Sequence, residues 1–177
     1  MSRLVRAPLL LVLAAASPSL SSRPVIGLDK GRCRPNEAGP AIIVDVVGLK
    51  DRIGTLRAEL YPNNKDDFLA DDHLLLSKGK TFRRAELRLD QPGPARICIR
   101  APAPGVYSLA LIHDRDDEPG FNILHDGIGF PGNPKMGLHR PHIEGARIVA
   151  TTGIVRSRVI LNYRRGLFSF GPLGPSR

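Results

Sequence analysis

The feature that most constrains the fold is a series of short segments in which apolar and polar residues alternate. In AIIVDVV, Ile42, Val44 and Val46 share one face and Asp45 lies opposite. The segment GTLRAELY alternates in the same way. Because strand side chains point alternately to two sides, this period of two predicts half-buried strands. We expect these two segments to pair as a hairpin.

Five further segments alternate and are separated by turn residues: FRRAELRL, ARICIR, GVYSLALIHD, GARIVATT and VRSRVILNYR. In the third, Leu109 and Leu111 lie on one side, while Ala110 and Ile112 lie on the other. Apolar residues on both sides predict a central strand. We expect the last two segments to form a hairpin. Short strands separated by turns predict an all-β fold, an antiparallel seven-stranded sandwich.

The segment at 62–80 lacks this alternation, and it is where we expect at most one short helix. Asn64 or Asp66 is the expected N-cap, because an Asn or Asp side chain accepts hydrogen bonds from the first free N–H groups. Phe68, Leu69 and Leu75 would then form the apolar side.

The N-terminus has the features of a secretory signal peptide, because Arg3 and Arg6 flank the start of a short apolar run that small residues follow. The run PLLLVLAAA is too short to cross a bilayer. The expected organisation is a signal peptide at 1–16, an extended leader at 17–40, a β-sandwich domain at 41–164 and a loose C-terminal tail at 165–177. We therefore expect a periplasmic or secreted protein, without a transmembrane segment in the mature chain.

Export determines how the two cysteines are interpreted. Outside the cytoplasm an even pair usually oxidises, so Cys33 and Cys98 are expected to form a disulfide. The bond would close a loop of about 66 residues and contribute about 4 kcal/mol in the chain-entropy description. Since Ile97 and Ile99 share the opposite face, Cys98 points outward, and the bond would hold the leader against the outside of the sheet.

The formal net charge of +9 is interpreted first as a source of solubility and weak anion affinity. A basic exported protein can bind an anionic surface such as lipopolysaccharide. The arginines expected to face outward are Arg57, Arg84, Arg88, Arg96, Arg100, Arg156 and Arg158. With six Phe, three Tyr and no Trp, the chain has few aromatic residues for stacking on bases, so specific nucleic-acid binding is not expected.

Four stretches of the chain resemble a known bacterial family. They are VVGLKDRIGTLRAELY, APGVYSLALIHDRDD, GIGF and ILNYR, and the most specific part is PGVY leading into HD. Together they are similar to the family called domain of unknown function 2141, over about residues 41–164. The resemblance implies an exported prealbumin-like or immunoglobulin-like sandwich, and it implies no established activity.

The loop after the central strand concentrates acidic residues. Asp114, Asp116 and Glu118 alternate, and oxygen ligands at this spacing can surround a calcium ion. A helix-loop-helix calcium site is excluded, because Pro119 stands where the turn needs Gly and His125 replaces the closing Glu. A looser calcium site is one interpretation of this loop, and a solvated acidic turn is the other.

Histidines in the same region offer a second kind of metal site. Two imidazoles and a carboxylate would bind zinc or copper if the loops that carry His139 and His142 converged on this one. The alternative is a set of surface histidines. The candidate metal ligands are His113, Asp114, Asp116, Glu118, His125 and Asp126, and calcium is the cofactor we expect if there is one.

The turn before the central strand is expected to be structural. Gly105 would supply a positive φ after Pro104, and a buried Tyr107 would bond its hydroxyl across a corner of the sandwich.

Signals of catalysis are lacking in the sequence. Adjacent His and Asp residues of a strand point to opposite faces, so neither HD pair forms a dyad by itself, and there is no G-x-S-x-G motif. We therefore expect a non-enzymatic binding or accessory module of the cell envelope. The alternatives are a metal-binding module that uses the 113–143 loop and a binder of anions such as lipopolysaccharide.

Overall fold

The computed structural model describes residues 27–118, 120–137, 139–167 and 169–174. The expected signal peptide and the first part of the expected leader lie outside these residues. Within the described ranges, no helix is long and apolar enough to cross a bilayer.

Ten β-strands form the framework of the described chain. They are β1 (Ala41–Val47), β2 (Thr55–Pro62), β3 (Arg83–Arg88), β4 (Arg96–Arg100), β5 (Gly105–Asp114), β6 (Gly127–Gly129), β7 (Arg147–Ala150), β8 (Ile154–Ile160), β9 (Asn162–Arg164) and β10 (Phe170–Pro172). The helical elements are α1 (Leu28–Gly31), α2 (Asp72–Ser77) and a 3-10 turn (Ile143–Ala146). The all-β class is confirmed, with more and shorter strands than the seven expected and with two short helices.

The strands form two sheets. The small sheet has the order β4-β1-β8, and the large sheet has the order β10-β9-β6-β5-β2-β3, with β7 alongside the start of β5. Every pair in the large sheet is antiparallel. In the small sheet β1 runs antiparallel to β4 and parallel to β8.

Both expected hairpins are wrong. β1 and β2 lie in different sheets, and so do β7 and β8, because the chain crosses from one sheet to the other at each connection. The segment expected as one final strand also divides at Leu161, where β8 in the small sheet ends and β9 in the large sheet begins. Alternation specifies which face of a strand is buried, but it does not specify the partner strand.

The main core fills the space between the inner faces of the two sheets. β2 contributes Leu56, Ala58 and Leu60, each fully buried, and the small sheet contributes residues such as Ile42 and Val159. These are the positions that the alternation assigned to the inside of the sandwich.

A second apolar cluster covers the outer face of the large sheet. Ala110 and Ile112 of β5 belong to it, together with Phe68, Leu75 and Phe130. The expectation that β5 is buried on both sides is therefore confirmed. The residues around α2 and the loops on either side of β6 cover this face, so outward positions of the large sheet are not all exposed to solvent.

The helix α2 begins later than expected. Its N-cap is Asp71, whose Oδ1 accepts a hydrogen bond from the N–H of Leu74 at 2.9 Å. Asn64 instead accepts hydrogen bonds from the N–H groups of Asp66 and Asp67 in a turn. Asn64 and Asp66 are therefore turn residues, because an Asx side chain bonds local N–H groups in a turn as readily as at a helix start.

Cys33 and Cys98 form a disulfide with a Cα–Cα distance of 5.9 Å, the pairing expected from the sequence. Next to it, Arg32 forms a β-bridge with Ile99 of β4. The segment after α1 therefore lies beside the outer edge of the small sheet.

The turn before β5 is built differently from the expectation. Gly105 does not have a positive φ, and Tyr107 is half-buried, not buried. The Tyr107 hydroxyl donates to the carbonyl of Ala103 at 3.0 Å. A Cβ on Gly105 would lie 3.6 Å from the Tyr107 ring, an ordinary contact.

Candidate functional site

His113 lies near the end of β5 and points into the space between the sheets, where it is fully buried. Its Nε2 lies 2.8 Å from the carbonyl oxygen of Ile53, so Nε2 carries the proton and donates it. Its Nδ1 then accepts from the Tyr163 hydroxyl at 2.8 Å, and this hydroxyl accepts from the N–H of Lys50 at 3.2 Å. Both ring nitrogens are occupied by protein groups, so His113 stabilises the fold and is not oriented as a metal ligand.

Burial shifts the pKa values of both His113 and Tyr163. It lowers the pKa of His113 below its usual value, although the Ile53 carbonyl and the Asp51 carboxylate act in the opposite direction. Burial also raises the pKa of Tyr163. The imidazole is therefore neutral and the phenol protonated at neutral pH, as this hydrogen-bond chain requires.

Asp114 points to the opposite face of β5, as alternation requires, and it is 4 % exposed. Its Oδ2 forms an ion pair with Nη1 of Arg57 at 2.9 Å, whereas its Oδ1 is sealed from solvent and has no hydrogen-bond partner among the described residues. Burial raises the pKa of Asp114 to about 6; Arg57 opposes this, and the nearby carboxylates of Asp126 and Asp117 add to it. The site thus has a buried carboxylate oxygen, Oδ1 of Asp114, that could accept an interaction from a positively charged group.

Two further carboxylates approach Asp114. Asp126 is buried, and its oxygens accept from the N–H groups of Arg115 at 3.0 Å and Asn122 at 2.9 Å. Asp116 is exposed, and its Oδ2 accepts from the Asn122 side chain at 3.1 Å. One oxygen from each of the three carboxylates lies within 4.8 Å of the others. We call these three residues the acidic cluster.

The other sequence-predicted ligands lie outside the acidic cluster. In the part of the chain that the structure describes, the cluster is the only such group of His, Cys, Asp and Glu side chains. Glu118 contributes its backbone N–H to Asp116 at 3.3 Å, and His125 contributes its backbone carbonyl to Arg115 at 3.1 Å. The imidazoles of His139 and His142 are likewise not part of it, so the histidine-based metal site is not formed.

Arg115 holds the loop in place, a role that the sequence analysis missed. Its guanidinium forms an ion pair with Asp51, in which Nη2 lies 2.5 Å from Oδ2. This pair joins the loop that follows β1 to the loop that follows β5. Alternation gives no indication of it, because both residues lie outside the regular part of a strand.

A cleft of about 580 Å³ lies on the outer face of the large sheet, and Arg57, the ion-pair partner of Asp114, lines it. At its polar end the buried Glu59 accepts from Arg84 Nε at 2.8 Å and from the Tyr61 hydroxyl at 2.5 Å. Arg84 also pairs with Asp72 at 3.1 Å. Burial raises the pKa of Tyr61 well above its usual value, and the Glu59 charge adds to this, so the phenol stays protonated.

The sequence analysis missed this cleft because Arg57, Glu59 and Arg84 were assigned to a solvent-facing surface. Their side chains are only 12 %, 5 % and 16 % exposed, since α2 and the loop at 120–130 cover them. A Glu directly across from an Arg on neighbouring strands (Glu59 and Arg84 are register partners) is a weak signal of pairing that the sequence does contain.

The arginines that were expected to face outward are divided between the two sheets. Arg57, Arg84 and Arg88 lie on the large sheet, where each is paired with an acidic residue. On the small sheet, Arg96 and Arg156 approach the same carboxylate, Asp45, at 2.5 Å and 4.0 Å. The arginines therefore do not form one continuous surface.

The fold and the loop define a disulfide-linked β-sandwich with a cluster of carboxylates at one end of its central strand. The chain belongs to the family of uncharacterised proteins conserved in bacteria that is called domain of unknown function 2141, whose model matches residues 44–156. The resemblance stated from the sequence is thereby confirmed. No curated protein and no solved structure matches the chain.

Proposed function

We propose that this protein is an exported, non-enzymatic binding module of the bacterial cell envelope, and that its acidic cluster binds calcium. The observation that carries the proposal is Asp114, which belongs to a group of three carboxylates and whose buried Oδ1 has no hydrogen-bond partner among the described residues. A buried polar atom without a hydrogen-bond partner is costly, and a bound cation would supply the missing interaction.

The geometry of the acidic cluster fits a calcium ion. Calcium–oxygen distances are about 2.3–2.6 Å, so two ligands of one ion lie at most about 5 Å apart. The three carboxylate oxygens meet this limit at 4.8 Å. Asp126 and Asp116 are already oriented by hydrogen bonds from Arg115 and Asn122, which lowers the entropy lost when an ion binds.

The donor set favours a hard cation. All three side chains offer oxygen, whereas zinc and copper sites usually include imidazole or thiolate. The histidines of the loop do not join the cluster, and both cysteines are in the disulfide.

Two observations support export. The first sixteen residues have the pattern of a signal peptide, and a disulfide persists mainly in oxidising compartments. The absence of a catalytic motif in the sequence, together with the hydrogen-bonded state of His113, supports a binding role and not an enzymatic one.

The test is calcium binding to protein from which metals have been removed with a chelator. Isothermal titration gives affinity, and thermal unfolding with and without calcium gives stabilisation. At a calcium concentration of about 100 times Kd, the free energy of unfolding should rise by about 2.7 kcal/mol. For a protein of this size that corresponds to an increase in Tm of about 5–10 °C.

Two variants of the same loop form a matched pair. Asp116→Asn removes an exposed member of the acidic cluster and should abolish the calcium-dependent increase in Tm. Glu118→Gln removes an exposed acid two residues away, outside the cluster, and should leave the increase unchanged. A calcium response that is absent in the wild type, or equal in the two variants, would contradict the proposal, and a tighter response to zinc than to calcium would reassign the metal.

A further inference from the structure

We infer that a second pocket, at the β10 edge of the large sheet, binds a small molecule that has an apolar body and one anionic group, a carboxylate or a phosphate. The loop at 133–136 and the segment at 170–172 form two of its walls, and Arg165 lies at its rim. We call it the basic pocket. It measures about 310 Å³, within the range of about 300–1,000 Å³ that is usual for small organic ligands. This inference goes beyond calcium binding and does not depend on it, because no residue of the acidic cluster lines the basic pocket.

The charged side chains that line the basic pocket are both cationic. They are Lys135 and Arg165, and no acidic residue of the described ranges lines it. Both are exposed, and neither forms an ion pair with a described residue. The cleft at Glu59, by contrast, is lined by three acids and two arginines that are already paired. Of these two spaces, the basic pocket is therefore the one whose charges favour an anion.

Two contacts fix the Arg165 guanidinium at the rim of the basic pocket. Its Nη1 donates to the carbonyl of Pro172 at 3.0 Å, and the same atom lies 3.9 Å from the position that a Cβ on Gly171 would occupy. Gly171 and Pro172 both line the pocket. The Nε and Nη2 atoms of Arg165 donate to none of the residues that the structure describes, so they are available to an anion. A hydrogen bond from a guanidinium to a carboxylate or a phosphate is about twice as strong as a neutral one.

The other walls of the basic pocket are mainly apolar. Pro134, Met136, Ile160 and Phe170 line it. An apolar body would bury this surface, which stabilises binding by about 25 cal/mol per Å² of apolar area. The Met136 side chain is unbranched and flexible, so it can adjust to the shape of the body. A bare inorganic anion would leave these walls unused, and the pocket therefore fits a molecule that has both parts.

Hydrogen bonds to the sheets hold the polar side chains of the wall in place. The Asn133 Oδ1 accepts from the N–H of Ile160 at 2.7 Å, and its Nδ2 donates to the carbonyl of Arg158 at 3.0 Å. The buried Asn162, which also lines the pocket, donates from Nδ2 to the carbonyl of Ile128 at 3.2 Å. A wall that is already ordered lowers the entropy lost when a ligand binds.

NMR titration of isotope-labelled protein tests affinity and location together. The anionic probes are 3-phenylpropanoate and 3-phenylpropyl phosphate, and the controls with the same body are the neutral 3-phenylpropanol and the cationic 3-phenylpropylamine. We expect at least one anion to bind with a Kd below about 1 mM and at least about tenfold more tightly than either control, and the tighter anion identifies the head group. The amide signals of Met136 and Gly171 should shift, and that of Asn122 should not. Failure of both anions to bind, a control that binds as tightly, or shifts confined to other residues would overturn the inference.

Two arginine variants test the cationic rim. Arg165→Gln and Arg158→Gln each remove one charge from an exposed arginine, but only Arg165 lines the basic pocket. Arg165→Gln should weaken binding of the tighter anion about tenfold and leave binding of 3-phenylpropanol unchanged, because only the anion needs the guanidinium. Arg158→Gln should change either affinity less than about twofold. Equal losses in the two variants would mean that net charge alone attracts the anion, and they would refute the assignment.

A second pair of variants tests the apolar wall. Met136→Gln keeps the length of the side chain and removes its apolar character, whereas Leu167→Gln alters an exposed apolar residue that does not line the basic pocket. Met136→Gln should weaken binding of the anion and of 3-phenylpropanol by the same factor, about threefold, and Leu167→Gln should affect neither. Circular dichroism would establish that both variants are folded. A folded Met136→Gln protein with wild-type affinity for both ligands would refute the placement of the apolar body.

Discussion

The hydrogen-bond chain through Tyr163 leads to a quantitative prediction for Tyr163→Phe. The substitution keeps the ring and removes the hydroxyl, which leaves Nδ1 of the fully buried His113 without a donor. An unsatisfied buried polar group costs about 1–3 kcal/mol. The N–H of Lys50 loses a longer bond at 3.2 Å in a partly buried position, and this adds a smaller amount.

The expected total for Tyr163→Phe is a loss of about 2–3 kcal/mol in the free energy of unfolding. Urea denaturation followed by circular dichroism measures it, and Tm should fall by about 5–10 °C. Tyr107→Phe is the matched control, because its hydroxyl bonds Ala103 from a solvent-exposed position and should contribute less than about 1 kcal/mol. If the two variants lost equal stability, the argument that His113 depends on Tyr163 would fail.

The same chain determines how His113 titrates. Burial lowers its pKa in the folded state, so the unfolded chain binds the proton first as pH falls. The stabilisation from His113 is therefore complete above about pH 6.5 and is lost progressively below it. Asp114, whose pKa is raised to about 6, has the opposite effect on stability, so NMR titration of the imidazole is the clean measurement. A His113 that titrates above pH 6.5 would contradict the neutral, doubly bonded state.

Three other predictions concern the rest of the molecule. Replacing both Cys33 and Cys98 by Ser should lower the free energy of unfolding by about 2–4 kcal/mol, as measured by urea denaturation. An equal loss on adding reductant to the wild type would confirm that the disulfide is the cause, and no loss in the variant would refute its contribution to stability. Gly127→Ala should destabilise the protein by about 2 kcal/mol or more, because its Cβ would lie 2.3 Å from the Tyr163 ring, whereas Gly153→Ala, which meets no neighbour, should change Tm little. Intact-mass analysis of protein recovered from the periplasm should give an N-terminus near Ser17, and an unprocessed chain would contradict export.

Alternation along the sequence was sufficient to assign the inner faces of the sandwich. Leu56, Leu60 and Val159 are buried as expected, because one face of each strand must pack on the other sheet. It was insufficient to identify neighbouring strands, because β1 meets β8 in parallel from a distant part of the chain. Only the crossing of the chain between sheets, which depends on global packing, determines that pairing.

The residues of the candidate sites could likewise be predicted only in part from the sequence. Asp114, Asp116 and Asp126 could be singled out because acidic residues recur at short spacing in one loop. The sequence could not show that Glu118 and His125 lie apart from these three residues, because their separation depends on backbone turns held by Arg115 and Asn122. The cleft could not be predicted from the sequence. The loops that cover it are distant along the chain, and local periodicity gives no information about them.

The bridge between Arg32 and Ile99 has a consequence for self-association. β4 is an edge of the small sheet, and an unguarded edge offers backbone N–H and C=O groups to strands of other molecules. The bond between Cys33 and Cys98 keeps the preceding segment beside that edge. We expect the disulfide to limit edge-to-edge association as well as to stabilise the chain, because its reduction would free the segment that lies beside β4.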